Sequence, residues 1–135
     1  ITGYGRVGKV LAERMAAMGA RVTVSARKCA DFAWIAERGF GAIHTNELIE
    51  KVGEYDLIVN TIPAVVLTEE VLERVRDDAL VIDLASKPGG VDFGTAKRLG
   101  KNVIWALSLP GKSAPITSGR IIGETIINII AETGV

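Results

Sequence analysis

The sequence predicts a doubly wound α/β domain: a mostly parallel sheet of about six strands with helices on both faces. Three observations predict it. Short apolar runs alternate with helical stretches about six times along 135 residues. Runs such as Leu57-Ile58-Val59 are continuous in Val, Ile and Leu rather than alternating with polar residues, as in parallel strands covered on both faces. A glycine-rich loop opens the pattern, and right-handed crossovers wind such a chain onto both sides of one sheet.

The elements follow in order. Ile1-Thr2 reads as the remnant of a first strand, so residues 1–135 are expected to be one domain cut from a longer protein. Residues 6–18 carry Val7, Val10, Leu11, Met15 and Met18 at helical spacing and stop at Gly19. Residues 21–25 alternate at period two, as a strand does. A helix over 30–38, begun by Cys29 as a small apolar filler, stops at Gly39, and 42–43 is a short strand. Thr45 is the candidate cap of a helix reaching Val52, with Glu47 in its first turn. Strands are expected at 57–59, 80–84 and 103–107. Helices are expected at 68–75, capped by Thr68, and at 93–99, capped by Asp92 and stopped by Gly100. Two prolines and two glycines make 109–119 an irregular connection, and Thr117 or Ser118 starts a last helix to Glu132.

Composition narrows the function. Sixteen Lys+Arg balance sixteen Asp+Glu, which argues against the basic face of a nucleic-acid binder. A content of 48% hydrophobic and 24% charged residues excludes disorder. The one cysteine excludes a disulfide framework or a Cys-rich metal site, and it suits a reducing cytoplasm. His44 is the one histidine and reads as structural; no metal site is expected. The most apolar stretch, 121–131, is broken by Gly123, Glu124, Thr125 and Asn128, short of the ~20 apolar residues of a membrane span. No signal-peptide pattern is visible. The last helix carries Ile122, Ile126, Ile129 and Ile130 on one side, with Ile121 and Ile127 alongside. That stripe is wider than one sheet face needs, so part of it is expected to pack on another domain or a second copy of the chain.

Ligands of such a sheet sit at the carboxyl ends of its strands. Five segments lie there: 3–8, 25–28, 60–63, 85–90 and 108–119. Gly3-Tyr4-Gly5-Arg6-Val7-Gly8 is G-x-G-x-x-G between a strand remnant and a helix. Gly3 permits the tight turn, Gly5 lets backbone N–H groups approach a pyrophosphate, and Gly8 lets the helix press on the sheet. The helix start adds partial positive charge. About 20 residues on, where a site selective for NAD places Asp or Glu, stand Ser25, Arg27 and Lys28. A hydroxyl and two cations suit a 2′-phosphate, so NADP(H) is favoured and NAD(H) possible. Asn60, Thr61, Ile62 and Pro63 are candidate cofactor contacts: Asn60 and Thr61 can bond the cofactor ribose or the backbone, and Pro63 stiffens the wall beside the nicotinamide. Leu84, Ala85 and Ser86 follow the fifth strand as further cofactor contacts. Lys87, Gly111, Lys112 and Thr117 are candidates for the carboxylates of a small substrate, and no residue stands out as catalytic.

At these residues the chain resembles the dipicolinate synthase A family. The resemblance rests on Gly-Tyr-Gly-Arg-Val-Gly at 3–8, Ser-Ala-Arg at 25–27, His-Thr-Asn-Glu-Leu at 44–48 and Asn-Thr-Ile-Pro at 60–63. More selective are Asp-Leu-Ala-Ser-Lys-Pro-Gly-Gly-Val-Asp-Phe at 83–93 and Leu-Pro-Gly-Lys-Ser-Ala-Pro-Ile-Thr-Ser-Gly at 109–119. It implies a C-terminal, Rossmann-type NAD(P)-binding domain of a cytoplasmic enzyme. That enzyme oxidises a dihydrodipicolinate-type precursor to dipicolinate in endospore formation, on a branch from the lysine and diaminopimelate pathway. The partners it implies are a dicarboxylate substrate, an N-terminal domain of the same chain and the flavoprotein-like B component of the synthase; a homo-oligomer is the further partner that the isoleucine stripe suggests. Two other readings remain. A shikimate-dehydrogenase-like enzyme shares the Asn-x-x-Pro exit and the basic residues, whereas a 2-hydroxyacid dehydrogenase would need a histidine that 108–135 lacks. A module sensing NAD(P) without chemistry would need no polar lining at 60–63, 86–90 and 109–119.

Overall fold

The computed structural model describes residues 1–134. Its elements run α1 (Arg6–Ala17), β1 (Thr23–Ala26), α2 (Cys29–Glu37), β2 (Gly41–His44), α3 (Leu48–Lys51) between two 3-10 turns, β3 (Leu57–Asn60), α4 (Glu69–Arg74), β4 (Leu80–Asp83), α5 (Phe93–Arg98), β5 (Asn102–Trp105), α6 (Leu109–Ser113) and α7 (Pro115–Thr133).

Every strand pairing among the described residues is parallel. β1 runs beside β2, with Thr23 opposite Gly41 and Ala26 opposite His44. β4 lies between β3 and β5, with Asp83 opposite Asn60 and Trp105. Thr2 joins the two sets by bridging Ser25 and Asn60. Its N–H donates to the Val59 carbonyl at 2.9 Å, and its carbonyl accepts from Thr61 N–H at 3.0 Å. On the other side Ser25 N–H donates to Ile1 at 2.9 Å and Gly3 N–H to Ser25 at 3.0 Å. The order is therefore β2, β1, Ile1-Thr2, β3, β4, β5. Five strands form among the described residues, and the sixth expected position is held by those two central residues.

From the centre the chain winds first one way and then the other, so right-handed crossovers place α1 and α2 on one face and α3 to α5 on the opposite face. Two separate cores match this. Ala12, Val24, Ala26 and Ile35 form one. Ile58, Leu67, Leu72, Val81, Val91 and Ala96 belong to the other. Asp92 caps α5 as expected, accepting from Thr95 N–H at 3.0 Å. Its carboxyl is held below the ordinary aspartate value, first by that backbone hydrogen bond.

Several local expectations are corrected. Residues 109–113 form α6 rather than irregular chain, and α7 starts at Pro115 rather than at Thr117 or Ser118. Proline lacks only an N–H that the first helical turn leaves unused. Cys29 is exposed and fills no core. Thr68 occupies the cap position of α4, but its hydroxyl donates to Glu70 at 2.8 Å. Thr45 caps nothing, because His44 does so instead. His44 Nδ1 accepts from Asn46 N–H at 3.2 Å, and Glu47 returns a carboxylate to His44 N–H at 2.9 Å.

No described residue of α7 is buried, and its main packing partner among the described elements is α6. The isoleucine stripe is thus uncovered as a whole, not in part: even Ile130 stays 47% exposed. Among the described residues no helix is long and apolar enough to cross a membrane.

Candidate functional site

Parallel strands bring all their carboxyl ends to one edge. On that edge lies an open cleft of about 660 Å³, within the range of roughly 300–1,000 Å³ common for small-molecule sites. Gly3, Tyr4, Gly5, Arg6 and Val7 line it from the loop, with Lys9 one turn into α1. Ser25, Ala26, Arg27, Lys28 and Asp31 line it from β1 and α2, Thr45 from the end of β2, and Thr61, Ile62 and Pro63 from the end of β3.

The three glycines have different grounds. Gly3 has φ +95°, and a Cβ there would lie 2.7 Å from Thr61 Oγ1 and 2.8 Å from Ile62 Cγ1. A Cβ at Gly8 would lie 2.1 Å from the carbonyl oxygen of Gly3. The fold itself demands both. Gly5 is extended, at φ −79°, and a Cβ there would meet nothing within 4 Å. Nothing inside the fold demands glycine at position 5, yet the position faces the cleft at the start of α1.

Charge at that helix start is inverted. Acids favour a helix N-terminus, but the first turn of α1 has none and begins with Arg6. Arg6, Lys9, Arg27 and Lys28 line the cleft against one carboxylate, Asp31. Among the described residues none of these four cations pairs with a carboxylate. Lys9 Nζ sits 4.9 Å from the centre of the Tyr4 ring. Two buried side-chain oxygens among the described residues lack hydrogen-bond partners, Ser25 Oγ and Thr45 Oγ1, and both residues line the cleft.

Behind the rim runs a buried polar network. Thr2 Oγ1 donates to Asn60 Oδ1 at 2.5 Å, and Asn60 Nδ2 donates to Asp83 Oδ1 at 2.7 Å and to the Ile62 carbonyl at 2.9 Å. Ile62 N–H returns to Asn60 Oδ1 at 3.1 Å. Asp83 also accepts from Ala85 N–H at 3.0 Å and Gly90 N–H at 2.7 Å. Asn60 and Asp83 are fully buried. Of the two partners expected for the Asn60 side chain, cofactor ribose or backbone, it takes the backbone of Ile62 and is corrected as a cofactor contact, since its amide and oxygen are engaged inside the fold. Its part is to position 61–63. Thr61 Oγ1 donates to the Thr2 carbonyl at 2.8 Å.

The structure therefore gathers Gly3 to Val7, Ser25, Arg27, Lys28 and Thr61 to Pro63 around one cleft, with Gly8 directly behind. It does not bring the remaining candidates into it. Leu84 and Ala85 leave β4 with Ala85 buried, while Ser86 and Lys87 are exposed in the next turn. Gly111 and Lys112 are exposed on α6, and Thr117 is exposed in the first turn of α7. Lys9, Asp31 and Thr45 line the cleft without being singled out by the sequence. Lys9 was legible, since it lies three residues after Arg6 on one helix face. Among the described residues no cluster of His, Cys, Asp or Glu could hold a metal.

No protein-family model matches the chain. The A subunit of dipicolinate synthase from Bacillus subtilis (strain 168) is 42% identical over 132 residues, which is 98% of this chain and 44% of that protein. A crystal structure of the same Bacillus subtilis protein superposes with a TM-score of 0.93 over 97% of this chain and 44% of that one. The Bacillus halodurans counterpart gives 0.92 at 42% identity, over 96% of this chain and 45% of that one. The glutamyl-tRNA reductase of Methanopyrus kandleri, at 23% identity, shares the fold with a TM-score of 0.61 over 76% of this chain and 28% of that one. The chain spans less than half the length of the dipicolinate synthase chains it matches. In sequence, along almost its full extent, and in fold, this α/β chain is similar to a stretch of the dipicolinate synthase A protein.

Proposed function

We propose that the chain is the nicotinamide-dinucleotide-binding domain of an oxidoreductase of the dipicolinate synthase A type. The observation that carries this reading is Gly5. Its bareness serves no contact inside the fold, and it opens the start of α1 to a ligand. The acid-free first turn supplies backbone N–H groups and helix polarity to a pyrophosphate. Four cations, none with a carboxylate partner among the described residues, supply full positive charge. Arg27 and Lys28 favour a 2′-phosphate on the adenosine ribose, hence NADP(H) over NAD(H), with Asp31 as the one opposing charge.

The bound nicotinamide would supply hydride acceptance from a dihydrodipicolinate-type ring, whose nitrogen or carbon also releases a proton to solvent as the ring becomes aromatic, giving dipicolinate. The chain's own residues bind and orient. Thr61, Ile62 and Pro63 wall the nicotinamide side of the cleft. Asn60 and Asp83 hold that wall and the turn after β4 in fixed relation. Lys87, with Gly111, Lys112 and Thr117 beyond β5, is assigned to the substrate's carboxylates. Much of the rate then comes from holding the ring in place and neutralising its charge. No residue of the chain is assigned as acid or base.

Because the chain spans under half of its relatives, residues 1–135 are read as one domain of a longer protein. Another domain of that protein completes the substrate cleft and covers the isoleucine face of α7. The B component of the synthase as partner, and the cytoplasm of a sporulating cell as location, complete the proposal. The test is calorimetric titration of the purified protein with NADP⁺ and NAD⁺, with and without dipicolinate. Tighter binding of NADP⁺, strengthened further by dipicolinate, is expected. Failure of both dinucleotides to bind would overturn the reading.

A further inference from the structure

We propose that Thr45 is a specificity-determining residue, its hydroxyl joining that of Ser25 in holding a ribose 2′-phosphate. The inference rests on the dinucleotide reading and deepens it.

Strand order sets the stage. β2 lies outside β1, and β3 lies on the other side of the central pair. A dinucleotide whose pyrophosphate sits at the start of α1 extends one nucleoside toward Thr61–Pro63 and the other toward the ends of β1 and β2. Ala26 pairs with His44, and Arg27 and Thr45 are the residues that follow them in the chain. The residues at that end are Ser25, Arg27, Lys28, Asp31 and Thr45.

Two features single out Thr45 there. Its hydroxyl would ordinarily cap the turn it begins, but His44 and Glu47 close that turn between them. The hydroxyl is left buried and without a partner among the described residues, like that of Ser25 on the neighbouring strand. Ser25 as a residue is only 2% exposed. A buried hydroxyl without a partner is costly, and here two stand at one cleft, one on β1 and one just past the end of β2. Both residues line the cleft. Two such donors beside Arg27 and Lys28 match a phosphate dianion, which accepts several hydrogen bonds and needs neutralising. Asp31, in the first turn of α2, is the one charge facing the other way. A bare 2′-hydroxyl would need less than this set.

Thr45→Val keeps the shape of the side chain and removes the donor. Calorimetry compares adenosine 2′,5′-bisphosphate with adenosine 5′-monophosphate, and NADP⁺ with NAD⁺, on the purified protein. In Thr45→Val the 2′-phosphorylated ligands should bind about tenfold more weakly, the loss of one hydrogen bond to a charged group. The other two ligands should bind as before, the thermal midpoint should hold, and Thr45→Ser should restore the discrimination. Unchanged discrimination in Thr45→Val, or equal weakening of all four ligands, overturns this inference and leaves the dinucleotide reading standing. If neither dinucleotide binds the unsubstituted protein, the dinucleotide reading fails and this inference with it.

Discussion

Gly5→Ala separates a requirement of the ligand from a requirement of the fold. At φ −79° and ψ −169° an alanine is unstrained, and its methyl would meet nothing within 4 Å. Alanine is a poorer helix cap than glycine, but it also restricts the unfolded chain, and each effect is worth under about 1 kcal/mol with opposite sign. Thermal stability should therefore barely move. A pyrophosphate at the start of α1 would instead meet that methyl and be pushed off the backbone N–H groups. Losing one hydrogen bond to a charged group costs about 1.5–3 kcal/mol, which raises Kd from about tenfold to about a hundredfold. Gly8→Ala is the contrast. Its Cβ would stand 2.1 Å from a backbone carbonyl that cannot move cheaply. Overpacking of that kind costs about 1–3 kcal/mol, so the thermal midpoint should drop by several degrees. Calorimetric titration and thermal unfolding on both variants give the four numbers needed. If Gly5→Ala bound NADP⁺ as tightly as the unsubstituted protein, or unfolded as early as Gly8→Ala, the reasoning would fail.

Four further outcomes are expected. Arg27→Ala with Lys28→Ala should weaken NADP⁺ about tenfold or more and flatten its salt dependence, while NAD⁺ changes little; equal loss for both would argue against 2′-phosphate contacts. Asp83→Ala strands the Asn60 amide and the N–H groups of Ala85 and Gly90. Urea unfolding should show a loss of about 3 kcal/mol or more, and a loss under about 1 kcal/mol would mean the network is slack. The Asp92 cap should work fully above the ordinary carboxylate range and fade as pH falls through its lowered value; Asp92→Asn, which still accepts from Thr95, should remove that part of the acid limb in a stability–pH profile. In hydrogen exchange on the full-length protein, residues 121–130 should be protected, and Ile126→Asp with Ile130→Asp should abolish the protection; fast exchange without the substitutions would mean that nothing covers α7.

The sheet was legible because its determinants are local. Continuous Val and Ile runs, helix-ending glycines and the spacing of Gly3, Gly5 and Gly8 report on neighbours in sequence. The rim was legible only in part. Asn60 reads from sequence as a polar residue at a strand exit. Only the pairing of β3 with β4 shows Asp83 waiting beside it to take its amide inward. Thr45 reads as a cap because threonine caps well, but a histidine ring one residue earlier took the role. Pro110 and Pro115 read as breakers, yet each sits at a helix start, where proline is harmless. The isoleucines of α7 announced a large apolar face correctly, but period and composition carry no information on whether the sheet beneath uses it.

The buried Thr2–Asn60–Asp83 chain makes the Thr61–Pro63 wall of the cleft and the turn after β4 one mechanical part. A threonine from the central pair, an amide from β3 and a carboxylate from β4 interlock. They clamp 61–63 and 85–90 to the same three side chains. Grafting either turn from a distant relative would work only if all three travelled together, and substitutions among them should compensate one another rather than add.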